Sequence, residues 1–290
     1  MISSRGRSNV RHAAAAIIAL ACAASGTSGE KLPLNLEWAA STVWDDGLAE
    51  VSVYDAKRMI YGKPRPHTLR VILVKEEFDV RALVKSDPPY EGKETTTVLK
   101  LNLVSSVPTD NYPYNFLASI FMDRFDVTRL VKATMSSQEW CGNTFKEVIP
   151  QGGSWQLHYH SYFDGEADGS RTVEAGAGFL LEEQILVAAR AAALAAGESA
   201  SFKVAESLLT NRASGLVFRD AALSGGHVEL VETPLGSFEA RRLDLTIEGG
   251  GSARYWVGQD PERILVKVEN SGGFEMVLRE RSRRDYWTRK

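Results

Sequence analysis

Residues 95–104 read Thr95-Thr96-Thr97-Val98-Leu99-Lys100-Leu101-Asn102-Leu103-Val104, with a leucine at every second position from Leu99 onward. Side chains on a β-strand point alternately to the two faces of a sheet, so this spacing buries Leu99, Leu101 and Leu103 together. A helix would scatter the three leucines around its circumference. The stretch is therefore a strand with one core face.

The same period recurs on both sides. Ala49–Tyr61 and Thr68–Phe78 read as strands before it; Leu130–Glu139, Asn143–Ile149 and Ser154–Phe163 read as strands after it. Strand signals resume at Ser201–Leu209, Leu216–Asp220, Val228–Thr233, Phe238–Glu248, Ala253–Gly258, Arg263–Glu269 and Phe274–Arg281. Turn residues separate them, among them Gly62-Lys63-Pro64, Pro150-Gln151-Gly152-Gly153, Gly225-Gly226 and Pro234-Leu235-Gly236. One segment differs. Leu181–Ala196 is rich in alanine, leucine and glutamate, predicts a helix, and has Gly197 placed to end it. Ile185, Ala188, Ala189 and Ala192 share a face that suits packing on a sheet. The fold class is mainly β: an antiparallel open or closed barrel, or curved sheets, with one short alanine-rich helix.

The N-terminus reads as an export signal. Arg5, Arg7 and Arg11 precede the apolar run Ala13–Ala21, with no acidic residue before Glu30. That run is far short of the roughly twenty residues needed to span a bilayer. Ala19-Leu20-Ala21-Cys22 resembles the lipobox of bacterial lipoproteins and marks Cys22 for lipidation, with cleavage to a free soluble protein as the alternative. The expected organisation is a signal peptide over 1–21, a flexible tether over 22–33, an N-terminal β region over 34–165 and a C-terminal β region over 179–290. The last two are either separate modules or parts of one sheet. Localisation follows as periplasm or outer membrane.

Without residues 1–21, which carry those three arginines and no acid, the formal charge falls from −3 to −6. A mildly acidic chain has no global attraction for nucleic acid. Cys141 is the one cysteine besides Cys22, so no intrachain disulfide braces the mature chain.

Two resemblances come from short motifs. The alanine-rich helix with Arg190, the turn Thr233-Pro234-Leu235-Gly236 with Phe238 and Ala240, and Tyr255-Trp256-Val257 followed by Asp260 and Arg263 are similar to the bacterial family of unknown function labelled DUF3108. That resemblance implies an exported, β-rich protein. The N-terminal half, through Tyr61-Gly62-Lys63-Pro64-Arg65, Pro108–Tyr114 and Ser137–Phe145, resembles secreted bacterial proteins labelled septum formation inhibitor Maf. Cytoplasmic Maf pyrophosphatases carry an N-terminal Ser-rich, Arg-bearing motif that this chain lacks, so a lineage is implied and not that activity.

No phosphate-binding loop, nucleophile elbow, HExxH or CxxC pair occurs. The reading is a non-enzymatic envelope protein that binds a lipid or other apolar or amphipathic molecule in a β-lined cavity, with no cofactor and no metal. Arg58, Tyr61, Lys63, Trp140, Asn143, His158 and His160 are the candidate ligand-binding residues. A purely structural envelope-assembly role is one alternative. A hydrolase or transferase is another, with Cys141 as nucleophile and His158 or His160 as base. The sequence favours Cys141 as a buried small residue, because a lone cysteine beside Trp140 reads as core. His158 and His160 lie two apart on a strand, so they share a face opposite Trp155, Leu157, Tyr159 and Phe163. Labelling cells with a palmitate analogue tests the lipobox: wild type is expected to carry label and Cys22→Ser to carry none.

Overall fold

The computed structural model describes residues 32–213 and 215–288; the signal segment, Cys22 and most of the tether lie outside them. One curved sheet organises the described chain. Its strands are β1 (Ala49–Ile60), β2 (Lys63–Asp79), β3 (Val84–Lys85), β4 (Thr95–Val107), β5 (Tyr114–Asp123), β6 (Leu130–Gln138), β7 (Asn143–Gln151) and β8 (Ser154–Ser161). They continue as β9 (Asp168–Glu174), β10 (Phe179–Leu181), β11 (Ser199–Ala205), β12 (Phe218–Thr233), β13 (Gly236–Ile247), β14 (Ser252–Gly258), β15 (Leu265–Asn270) and β16 (Glu275–Arg284). The spatial order runs β10 to β16, then β1, β2 and β4 to β9, with β3 beside β2. β16 pairs antiparallel with β1, so the two ends of the described chain meet in the middle of the sheet.

The sheet does not close by a ladder, since β9 and β10 are both edges. Its ends approach through aromatic side chains instead. Trp155 of β8 packs edge-on against Phe218 of β12 at 5.2 Å, and Phe218 meets Phe179 of β10 at 4.7 Å. The inner face holds the core. Leu99, Leu101 and Leu103 are buried as their spacing requires, as are Trp155, Leu157 and Tyr159.

β5 was not expected from the sequence. Tyr114, Phe116, Ala118, Ile120 and Met122 alternate inward, but Leu117 and Phe121 on the other face blur the period. A second correction concerns Gly225-Gly226, which are no turn: β12 runs through them with a bulge between Gly225 and Val228. A Cβ on Gly225 would lie 2.0 Å from the Ala195 carbonyl oxygen, so the strand needs glycine where residues 194–198 cross it.

The helix is also shorter than expected. Leu181 belongs to β10, Glu182–Gln184 form one 3-10 turn, and only Ile185–Ala191 are α-helical (α2; the earlier α1 is Leu36–Ala40). Tertiary pairing overrides propensity here. β10 joins β11 in parallel, and Ala192 leaves the helix to bridge Leu34, with Ala193 N–H donating to Pro33 O at 2.8 Å. α2 is buried on every side rather than along one face. It lies inside the curve of the sheet, where a helix apolar on nearly every side belongs.

Its one charge is Arg190. The guanidinium makes a two-pronged bond to Glu50 of β1 at 2.7 and 3.0 Å and donates to Arg263 O and Glu262 O, each at 2.8 Å. Trp38 and Trp44 stack near it, and Arg281 of β16 adds a second cation on Glu50 at 3.0 Å. Burial pushes the Glu50 carboxyl upward, but the charges and hydrogen bonds of Arg190 and Arg281 outweigh it and hold the pKa below its ordinary 4.5. Removing one partner of a buried ion pair costs about 3–5 kcal/mol. Urea unfolding is therefore expected to show Glu50→Gln as the more damaging change, since it strands two arginines, and Arg190→Met as the milder one. With a lowered folded pKa, the contribution of Glu50 is complete above about pH 4.5 and is lost as pH falls through the folded value. Glu50→Gln should flatten that part of the acid limb.

Candidate binding cavity

A cavity of about 280 Å³ remains inside the curve. Strand alternation places its walls: Arg58 follows Tyr54 and Ala56 on the inward face of β1, and His67 of β2 stands opposite Ala56. Leu69, Leu103, Leu186, Leu209, Val268 and Phe274 supply apolar lining. Arg58, His67, Ser105, Glu182, Glu183, Tyr255 and Asn270 supply the polar part. Met59 and Gly272 are exposed and also line it, so the cavity reaches solvent between the β1–β2 and β15–β16 turns. A second cavity of about 300 Å³ shares Glu182, Ala253, Asn270 and Gly272 with the first.

The polar lining has distinct tasks. The Arg58 guanidinium lies 4.8 Å over the Phe116 ring and donates to Leu209 O at 2.8 Å. Burial lowers its pKa, and Glu183 partly offsets that. His67 Nδ1 faces the Arg65 carbonyl oxygen at 2.9 Å. A carbonyl oxygen only accepts, so Nδ1 carries the proton and Nε2 of the neutral ring is an acceptor. Burial lowers the His67 pKa and favours this neutral form.

Glu182 and Glu183 enter on the 3-10 turn ahead of α2. Burial, with Glu183 beside it, pushes the Glu182 carboxyl up to about 7. Glu183 Oε1 accepts from the Ser207 hydroxyl at 2.5 Å and from Leu209 N–H at 3.4 Å. Its Oε2 is buried and has no hydrogen-bond partner among the described residues.

Residues 206–213, between β11 and β12, form a strap beside the cavity. It has no ladder of its own, so side chains satisfy its backbone. Lys146 Nζ donates to Thr210 O, Thr210 Oγ1 and Arg212 O at 2.9–3.1 Å. Thr144 Oγ1 donates to Asn211 O at 2.6 Å, Asn211 Nδ2 to Glu139 Oε1 at 2.5 Å, and Ala213 N–H to Glu166 Oε2 at 2.9 Å. Burial pulls Lys146 down to about 8.

Of the residues expected to bind ligand, Arg58 alone lines this cavity. Tyr61 hydrogen-bonds the Tyr114 hydroxyl, while Lys63 and Arg65 both hold Asp110 at 2.7–3.0 Å. Trp140 is exposed and stacks on Tyr112 at 5.4 Å; the Asn143 carbonyl accepts from Tyr162 N–H. His158 and His160 point to solvent, and His160 faces Asp168 at 3.2 Å. Among the described residues no group of three His, Cys, Asp or Glu side chains is placed to hold a metal.

Cys141 is corrected from core to surface. It is exposed in the β6–β7 turn, and its Sγ lies 2.7 Å from the Tyr112 hydroxyl, with no imidazole as partner. The turn projects beyond the sheet, so Trp140 cannot cover the cysteine with core. Glu182, Glu183, Tyr255, Asn270 and the strap were missed as residues that line a cavity. Two acids just ahead of a helix that is apolar but for Arg190 were the available signal, since such a helix is buried and carries its first turn inward.

No family model and no curated protein matches the chain. Among solved structures it is similar to one described as a beta-barrel-like protein of domain of unknown function DUF1849 from Brucella abortus. The identity is 10%, the TM-score is 0.45, and the match covers 81% of this chain and 97% of that one. Exposure of Cys141 has a direct readout. Iodoacetamide is expected to alkylate it in the folded protein at a rate close to that in urea, and protection until unfolding would contradict this placement.

Proposed function

We propose that the protein is a non-enzymatic binding protein of the cell envelope that holds one small amphipathic molecule in the cavity beside the strap. The observation that carries this reading is an apolar lining with a few convergent polar groups. Leu69, Leu103 and Val268 of the sheet, Leu186 of α2, Leu209 of the strap and Phe274 form apolar walls, strand residues Arg58, His67, Ser105, Tyr255 and Asn270 supply polar groups, and the inserted 3-10 turn adds two carboxylates. Ligand sites combine apolar walls with a few convergent polar groups in this way. The volume limits the guest. About 280 Å³ lies at the lower end of small-molecule sites, so the cavity suits a short amphiphile and not a whole membrane lipid. Envelope location rests on the charged start and apolar run of residues 5–21, and attachment to the membrane rests on Cys22.

Native mass spectrometry of protein purified from its host, followed by solvent extraction, tests the reading. Wild type is expected to carry a small molecule. Ser105→Trp, which fills the cavity from β4, is expected to arrive empty while keeping the β-type circular dichroism of wild type. An empty wild type, or equal loading of both, would overturn it.

A further inference from the structure

Two acids face few charged donors in this cavity. Glu183 Oε2 has no donor, Glu182 stands beside it, His67 Nε2 accepts, and the other donors of the lining, the Ser105 and Tyr255 hydroxyls and Asn270 Nδ2, are neutral. Arg58 is the one full cation among the lining residues, and it is engaged with the Phe116 ring and the Leu209 carbonyl. Glu183 is only 3% exposed, so leaving Oε2 unmatched is costly: a buried acceptor without a donor loses its hydration and gains nothing in return. Resting on the binding reading above, we infer that the ligand presents a protonated amine to Glu183 and Glu182 and lays an apolar body against Leu103, Leu186 and Phe274.

The geometry of the carboxylate supports this. Oε1 is committed to the strap through Ser207 and Leu209, which fixes the side chain and leaves the second oxygen buried without a donor. Arg58 does not fill that role, because it makes no ion pair with Glu183 within 4.0 Å. Two carboxylates on consecutive residues also repel one another. Burial and the charges of Glu183 and Glu206 all raise Glu182, and a cation placed between Glu182 and Glu183 relieves that repulsion. An anionic guest would meet the same pair unfavourably. A neutral alcohol would supply a single donor without the charge.

Three probes of equal chain length separate these cases: n-hexylammonium, 1-hexanol and hexanoate, each titrated against the full folded protein by saturation-transfer NMR. Hexylammonium is expected to bind at least about tenfold more tightly than either, the value of one charge-assisted hydrogen bond. Glu183→Gln supplies the matched control. Its amide oxygen still accepts from Ser207 and Leu209, while an NH₂ replaces the free acceptor. Hexylammonium should weaken by about tenfold or more in Glu183→Gln, with 1-hexanol unchanged. If 1-hexanol binds and Ser105→Trp abolishes that binding, yet hexylammonium shows no preference or survives Glu183→Gln, the amine inference falls and the cavity reading stands. If hexanoate binds best, the charge assignment is reversed and the inference falls. If no probe binds, both fall.

Discussion

One buried ion pair sets the depth at which the chain fills its own sheet. The sheet is too wide for strand side chains alone to fill it. Curved sheets of about eight strands can be filled by their own residues, and larger ones enclose space. This one has fifteen strands in its path. Residues 182–194 cross the interior, but the apolar residues of α2 alone give no reason to stop at one depth. Arg190 provides it. Its guanidinium fits Glu50 with two parallel bonds, and the Glu262 and Arg263 carbonyls take remaining donors. A buried charge tolerates little displacement, because each lost partner leaves a desolvated ion. The pair thus pins α2 to β1 and to the β14–β15 turn. Glu183 then lies roughly 10 Å back along the segment at about 1.5 Å per residue, which brings both carboxylates into the space that α2 leaves unfilled.

What the sequence revealed follows from which forces act locally. Alternation is a local property, and β4 and β8 could be read because one face is apolar and the other polar. β5 escaped because Leu117 and Phe121 lie on the face opposite Tyr114 and Phe116, so the run looks uniformly apolar. The helix end escaped for another reason. Alanine propensity extends through Ala196, but Leu34 offers Ala192 a strand partner more than 150 residues away in sequence, and no window around the helix contains that information. Gly225-Gly226 carry the composition of a turn, yet their use is to let residues 194–198 pass close to β12. The polar residues picked from the sequence were conspicuous because they cluster near turns, and turns are where charges meet solvent. Lys63 and Arg65 meet Asp110 there, in a pairing of modest worth at an exposed site.

The strap shows the same contest between local and distant forces. Residues 206–213 have neither helical nor strand hydrogen bonds to hold them, so their order depends on side chains from β1, β7, the β6–β7 turn, the β8–β9 loop and the 3-10 turn. Lys146 carries the largest share. Its amine is desolvated, which favours the neutral form, but three oxygens within 3.1 Å favour the charge. The first effect is the stronger, as the lowered pKa shows. Leu208 and Ala213 of the strap also pack into the core, and Leu209 packs against it. Packing accounts for the sheet and α2; the strap needs satisfied carbonyls besides.

Glu183 joins these two layers. One oxygen closes the strap through Ser207 and Leu209, and the other is the unmatched acceptor of the cavity. A single carboxylate cannot serve both without linking them. When a donor neutralises Oε2, the charge shared with Oε1 changes, and so does the strength of its bonds to the strap. When the strap loosens, the carboxylate turns freely and loses the orientation that made Oε2 available. Free-energy coupling of this kind is reciprocal: whatever occupancy contributes to strap closure, closure contributes equally to occupancy. In the proposed complex a ligand and residues 206–213 would therefore be two partners of one side chain, and Arg190, by fixing the segment that carries it, sets where they would meet.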